Sequence, residues 1–247
     1  MRPTRRDVVA GMASVAMAGA LAPAALAQQP VAPKPLIELF TSQGCSSCPQ
    51  ADALLAEYAE RNDVLALSYS VDYWDYLGWR DTLASPRFTK RQKAYASARG
   101  DGQVYTPQVV VNGVTHAIGS SRPAIESAIA STEPQHAKSW VPIRMAVDAD
   151  MLDIEVPAAA NGGEATIWLL VVARRIEVNV KRGENSGRTL SYCNVVRDIT
   201  PVGMWNGEAA RVRVDRRAFV PSNADMLAVM LQRRSAGAIL GFDVHRG

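Results

Sequence analysis

Apolar and polar positions follow two different textures along this chain. Leu36-Ile37-Glu38-Leu39-Phe40 is a short apolar run, which predicts a strand. Thr41-Ser42-Gln43-Gly44 predicts a turn, and from Cys45 to about Arg61 the residues Ala51, Leu54, Leu55 and Tyr58 recur on one helical face. Val64 to Tyr69 predicts a second strand. Ser85-Pro86 pairs an N-cap with proline at the first helical position, and that helix should run to Arg99 and stop at Gly100. Tyr105-Thr106-Pro107 precedes the strand Gln108 to Val111. Asn112-Gly113 then suits a tight hairpin, because both turn positions need positive φ, and Val114 to Ile118 returns. Gly119 to Pro123 opens a last helix with Ile125, Ala128 and Ile129 inward. Residues 36–131 therefore predict the order β-α-β-α-β-β-α.

After Pro134 the texture changes. Val141 to Asp148 alternates, Asp148-Ala149-Asp150 turns, and Leu152 to Val156 follows. Further strand-like runs occupy 165–173, 176–180, 189–199, 210–214, 226–232 and 238–243. Asn161-Gly162-Gly163 and Gly183-Glu184-Asn185-Ser186-Gly187 are turn segments between them. Short strands at such spacing predict an antiparallel, sandwich-like β domain over 140–247. No internal repeat or low-complexity tract interrupts the chain.

The N-terminus reads as an address. Arg2, Arg5 and Arg6 precede an apolar run from Val8 to Leu21, and Ala25-Leu26-Ala27 is a small-x-small cleavage signal. The paired arginines in Thr4-Arg5-Arg6-Asp7 resemble a twin-arginine export signal. The run is short for a membrane span of about 20 residues, and the mature chain contains no other candidate span. Residues 1–27 are thus expected to be a signal peptide and 28–35 a proline-rich linker, with the mature protein periplasmic or secreted. Composition is that of an ordinary globular protein, 48% apolar and 21% charged. Net charge is +3, of which residues 1–27 carry +2, so the mature chain has no basic excess that calls for nucleic acid.

Three cysteines, Cys45, Cys48 and Cys193, do not make a disulfide framework. Cys45-Ser46-Ser47-Cys48 lies where a strand meets a helix start. There the unpaired N–H groups and the helix dipole stabilise a thiolate, so Cys45 is expected exposed and acidic as a nucleophile. Cys48, one turn deeper, can resolve a mixed disulfide formed at Cys45. Pro107, preceding a strand beside the pair in cis, would complete a thioredoxin-like site, with protein thiols or disulfides as partners and no cofactor or resident metal. Two alternatives stay open. Cys45 and Cys48 with one histidine could hold a soft metal, although His116, His136 and His245 show no ligand spacing. A purely structural disulfide is the other, although closing so short a loop stabilises little. The whole would then be a non-enzymatic scaffold for a metal or a partner protein.

Other residues divide between chemistry and structure. Tyr73, Trp74, Tyr76 and Trp79 form an aromatic cluster; Tyr73 and Trp74, with Thr106, are candidate substrate contacts, or the cluster is simple packing. Asp72 and Asp75 are either acid/base groups near Cys48 or helix caps. His116 suits a surface position on the hairpin. Glu184, Asn185 and Arg188 either bind across the two regions or shape a long turn, and Cys193 suits a small buried apolar site.

Several of these segments together resemble a family of secreted bacterial proteins labelled domain of unknown function 1223. They are Phe40 to Pro49 with Ala51-Asp52, Val71 to Asp75 with Gly78-Trp79, and Tyr105-Thr106-Pro107-Gln108. Toward the C-terminus they are Gly183-Glu184-Asn185, Gly187-Arg188-Thr189-Leu190 and Asn194-Val195-Val196. The resemblance spans nearly the whole mature chain and implies a thioredoxin-like domain followed by a β domain; it supplies no reaction. Ser70 departs from the histidine expected at that position in relatives. The fold class predicted is therefore α/β, thioredoxin-like over 36–131 and all-β over 140–247. Mature protein recovered from its host should begin at Gln28 by N-terminal sequencing. Replacing Arg5 and Arg6 by lysine should block export if the twin-arginine route is used and leave it intact otherwise.

Overall fold

The computed structural model describes residues 32–160, 163–221 and 224–247. The export segment 1–27, the linker before residue 32 and the Asn161-Gly162 part of one turn lie outside the described residues. The architecture is mixed α/β. The first part runs β1 Leu36–Thr41, α1 Cys48–Ala59, β2 Leu65–Ser70, α2 Pro86–Arg99, β3 Gln108–Val111, β4 Thr115–Ile118 and α3 Arg122–Ser139. It continues β5 Arg144–Val147, β6 Met151–Val156, β7 Ala165–Asn179, β8 Thr189–Trp205, β9 Ala210–Asp215, α4 Arg216–Phe219, β10 Met226–Arg233 and β11 Ile239–Arg246.

Local signals explain several boundaries. Ser85 caps α2 by accepting from the Arg87 N–H, Pro86 opens the helix, and Gly100 closes it in the left-handed conformation. Asn112 and Gly113 turn the β3–β4 hairpin with φ of 50° and 72°. One boundary differs from expectation: α3 passes through Pro134 and ends at Ser139. Pro134 and Ala130, whose carbonyl loses its partner, are both exposed, so water can take that bond. The two runs predicted at 165–173 and 176–180 are one long strand, β7.

Strands from both textures join one eight-stranded sheet, ordered β11-β10-β7-β8-β2-β1-β3-β4. The joint is short. β2 and β8 pair in parallel at Ser68 and Val195. Beside it Asn194 takes a left-handed φ of 47° and donates from Nδ2 to the Ala66 carbonyl at 2.9 Å. β5, β6 and β9 form a separate three-stranded sheet.

Alternation along the strands assigns each face. Ile37 and Leu39 pack with Ala51, Leu55, Ile125 and Ala128 beneath α1 and α3. Leu36 and Phe40 point the other way, into a core shared by Phe88 and Tyr95 of α2 with Leu170, Val172, Met226, Met230 and Phe242 of the C-terminal strands. Ile167, Leu169, Val171, Leu227 and Val229 face the three-stranded sheet through Leu152 and Ile154.

Glu38 interrupts the apolar face of β1 and is fully buried. Arg91 from α2 meets it with two hydrogen bonds, Nε to Oε1 at 2.8 Å and Nη2 to Oε2 at 3.1 Å. The same guanidinium donates to Gln232 Oε1 on β10 at 3.1 Å and to Tyr95 Oη at 2.6 Å. Tyr95 in turn donates to Glu38. This network ties β1, α2 and β10 together. Arg91→Ala should cost about 3–5 kcal/mol in urea unfolding, because it strands a buried carboxylate. The double replacement Glu38→Leu with Arg91→Met should recover most of that loss.

Candidate functional site

β1 delivers the chain to the turn that carries both cysteines. Cys45 N–H donates to the Ser42 carbonyl and Cys48 N–H to the Cys45 carbonyl, both at 3.2 Å. Cys48 is the first residue of α1, Ser47 its N-cap position, and Pro49 stands in the first turn. Cys45 therefore sits one turn ahead of the helix, and the two cysteines are joined in a disulfide.

The site is not open. Cys45 is 1% exposed and Cys48 0%. That corrects the expectation of an exposed Cys45, and residues far away in sequence contribute contacts to its turn. The tip of the β7–β8 hairpin folds over the cysteine turn. Asn185 Nδ2 donates to the carbonyls of Gln43 and Cys45 at 3.0 and 2.9 Å, and its Oδ1 accepts from Arg188 Nη1 at 2.8 Å. The Ser46 N–H donates to Glu184 Oε2 at 3.1 Å. A carboxylate thus occupies an N–H of the cysteine turn, one residue along from Cys45.

Thr106–Pro107 is a cis peptide. Trp74 brings it to the turn: its Nε1 donates to Thr106 Oγ1 at 2.8 Å while its Cβ packs on Gly44. On the other side, Gly119 lies against both Pro107 and Ala51 of α1, and a Cβ there would stand 3.1 and 3.2 Å from them. Trp74 and Gly119 therefore link Thr106 and Pro107 to the cysteine turn and to α1. Tyr73 is half-buried against Trp74, with burial raising its hydroxyl pKa, whereas Tyr76 is 79% exposed. Trp79 donates from Nε1 to Gln43 Oε1 at 2.8 Å.

Asp72 and Asp75 are engaged elsewhere. Asp72 accepts from Thr89 Oγ1 of α2, and Asp75 Oδ1 accepts from the Asp81 N–H at 3.0 Å. The buried acids at the site are Asp52 and Asp81. Asp81 Oδ2 accepts from the Gln43 N–H at 2.8 Å, and burial raises its pKa. Asp52 lies one turn beyond Cys48 on the same helix face and has no hydrogen-bond partner among the described residues. Burial pushes its pKa up to about 8, and the charge of Asp81 adds to the rise. The nearby Thr41 hydroxyl holds part of that rise back without reaching bonding geometry. Tyr192 of β8, also buried without a partner for its hydroxyl, feels both acids, and burial raises its pKa first. The signal for Asp52 was present in the 48, 51, 52, 55 spacing of α1; Gln43 and Asp81 carried none.

His116 bonds through Nδ1 to Tyr105 Oη at 2.8 Å, with Nε2 3.3 Å from Asp101. Cys193 is free and half-buried, with burial raising its thiol pKa. Among the described residues no group of three or more His, Cys, Asp or Glu is placed to hold a metal, and no helix is long and apolar enough to cross a membrane.

Fold and site define a mixed α/β protein with a covered Cys-x-x-Cys disulfide where a strand meets a helix. The chain belongs to the family described as Protein of unknown function (DUF1223), whose pattern matches residues 36–232. It is similar to the crystal structure of protein AGR_C_4864 from Agrobacterium tumefaciens, with 36% identity and a TM-score of 0.77. That match covers 88% of this chain and 96% of the other. A more distant likeness, 12% identical with a TM-score of 0.55, is to HBP35 of Porphyromonas gingivalis, covering 87% of this chain and 75% of that one. No curated protein matches the chain.

Asp52 gives a signed pH dependence. Its carboxyl keeps its proton in the folded protein up to about pH 8, against an ordinary value of 3.8. Its contribution is fully present below about pH 4 and is lost as pH rises through about 8. Wild-type stability should fall across that window. Asp52→Asn should flatten the fall and be more stable than wild type at pH 8 by at least about 1 kcal/mol in urea titrations. An unchanged slope would mean that Asp52 ionises normally.

Proposed function

We propose that this protein is an exported thiol–disulfide oxidoreductase of thioredoxin-like fold that acts on proteins through Cys45 and Cys48. The observation that carries the reading is the bonded Cys45–Cys48 pair at the β1–α1 joint with cis-Pro107 beside it. The β-α-β-α-β-β-α order of residues 36–139 supports the thioredoxin-like description. The three-stranded sheet facing β7 and β10 supports a sandwich-like C-terminal region. Export to the periplasm or beyond rests on Arg5-Arg6, the apolar run and Ala25-Leu26-Ala27.

The exchange balances as follows. A client thiolate attacks Cys45 Sγ, the Cys45–Cys48 bond breaks, and Cys48 leaves as a thiolate that takes up a proton. A second client thiolate then attacks the client sulfur of the mixed disulfide and expels Cys45. The client is oxidised from two thiols to a disulfide, and the Cys45–Cys48 pair is reduced to two thiols. The reverse sequence reduces a client disulfide. Asp52, one turn beyond Cys48 on the same helix face and protonated at neutral pH, is a buried acid that can supply or take up the proton that the Cys48 sulfur gains or loses.

A second reading, a structural disulfide within a binding scaffold, is favoured by one observation, the burial of both cysteines. Trapping separates the two. In cells, Cys48→Ser should accumulate disulfide-linked adducts with other proteins at Cys45, because the resolving thiol is gone, and Cys45→Ser should accumulate none. A Cys48→Ser variant that is folded, exported and free of adducts would favour the scaffold.

A further inference from the structure

We propose that the β7–β8 tip, residues 181–188, is a lid that gates the Cys45–Cys48 centre, with Asn185 as its plug. The proposal rests on that pair being a centre of thiol–disulfide exchange and concerns how access to it is controlled. Exchange needs an incoming thiolate to reach Cys45 Sγ, and with Cys45 1% exposed the closed form does not admit one.

What closes the site is small and polar. Residues 181–184 and 186–188 are exposed, and Asn185 alone is buried. Its amide makes two bonds to the cysteine turn, and Glu184 makes the third. The tip holds its own shape without the cysteines: Gly187 N–H donates to Val180 O at 2.9 Å, Ser186 N–H to Gly183 O at 3.1 Å, and Arg188 N–H to Asn185 O at 3.2 Å. Within it Gly183 and Gly187, with φ of 77° and 79°, flank Glu184, Asn185 and Ser186 at positions that tolerate wide backbone change. Behind it the arm is fixed by the apolar contacts of Val180, Leu190 and Tyr192 with Leu83. A segment with exposed backbone and one buried side chain opens far more cheaply than the sheet that carries it.

Closure also acts electrostatically. The Glu184 carboxylate takes the Ser46 N–H of the cysteine turn, and its negative charge there repels an incoming thiolate. The lid therefore restrains exchange at Cys45 twice, by covering its turn and by repelling the attacking thiolate. Opening removes both restraints together and frees the carbonyls of Gln43 and Cys45.

The test uses the full mature protein and a small thiol, so no client is needed. The rate of Cys45–Cys48 reduction by dithiothreitol is followed by mass spectrometry, with alkylation of free Cys193 by iodoacetamide as an internal control. Asn185→Ala and the isosteric Asn185→Asp, which loses the amide that binds both carbonyls, should each speed reduction at least tenfold. Glu184→Gln should give a smaller rise. Cys193 alkylation should be unchanged in all three. Reduction at the wild-type rate in both Asn185 variants would overturn the lid, as would a parallel rise in Cys193 labelling, which marks general loosening. A gate that passes this test in a protein whose Cys48→Ser variant traps nothing would leave the lid standing and remove the oxidoreductase reading alone.

Discussion

A single buried guanidinium sits where the N-terminal strands, helix α2 and the C-terminal strands share one core. Arg91 neutralises Glu38 inside a core that would otherwise reject a carboxylate, and it extends a third bond to Gln232 on a strand 141 residues later. Tyr69, Tyr95 and Trp168 surround it with ring faces, the nearest centroid 4.9 Å away. Breaking one partner leaves the others charged or unsatisfied in a dry interior, so the N-terminal strands and β10 form as one arrangement. The β2–β8 joint adds little by itself, a single parallel register and the Asn194 side chain. The apolar core shared across the sheet, with the buried network inside it, makes that joint a fixed relation between the two halves.

The site inherits this constraint. β8 pairs with β2 at Val195, and the part of its hairpin with β7 that precedes this pairing reaches the cysteine turn ahead of α1. Tyr192, Leu190 and Val180 pack there, and the arm's tip arrives at the cysteine turn. A covered dithiol is thus a product of sheet order. The local chemistry of Cys-Ser-Ser-Cys predicts an open, acidic Cys45; the sheet places a carboxylate and an amide from residues 184 and 185 against it.

That contrast shows which parts of the molecule were legible in the chain. Helix α2, from the Ser85 cap to Gly100, and the Asn112-Gly113 hairpin were readable because short side-chain-to-backbone bonds and φ requirements decide them. Thr106-Pro107 was readable because it sits at a defined step before a strand. Asp52 was half readable: its helical spacing places it under Cys48, but its lack of any partner depends on what β8 brings. Glu184 and Asn185 were visible as a glycine-bracketed turn and no more, since their partners lie 138 to 142 residues away. Glu38 was hidden for the opposite reason: a charged residue in a five-residue apolar run looks like a solvent-facing position until its guanidinium partner is known. The shared sheet was invisible for the same cause, because a one-register parallel pairing leaves no periodic trace.

The chemistry of the cover bears on how it functions. An apolar side chain over the disulfide would bury more area but leave the Gln43 carbonyl without a donor, at about 1–3 kcal/mol, and the Cys45 carbonyl with the Cys48 N–H alone. Asn185 meets both with one amide, and Arg188 satisfies the oxygen that remains. When the tip lifts, water replaces the amide at each carbonyl and at Asn185 itself, so the same bonds exist in both positions with different partners. The net free energy of such an exchange is small per bond, about 0.5–1.5 kcal/mol. A polar plug therefore closes the site firmly enough to exclude a thiol most of the time, yet leaves the open position within thermal reach. The stability of the sheet, anchored at Arg91, need not change for the site to open.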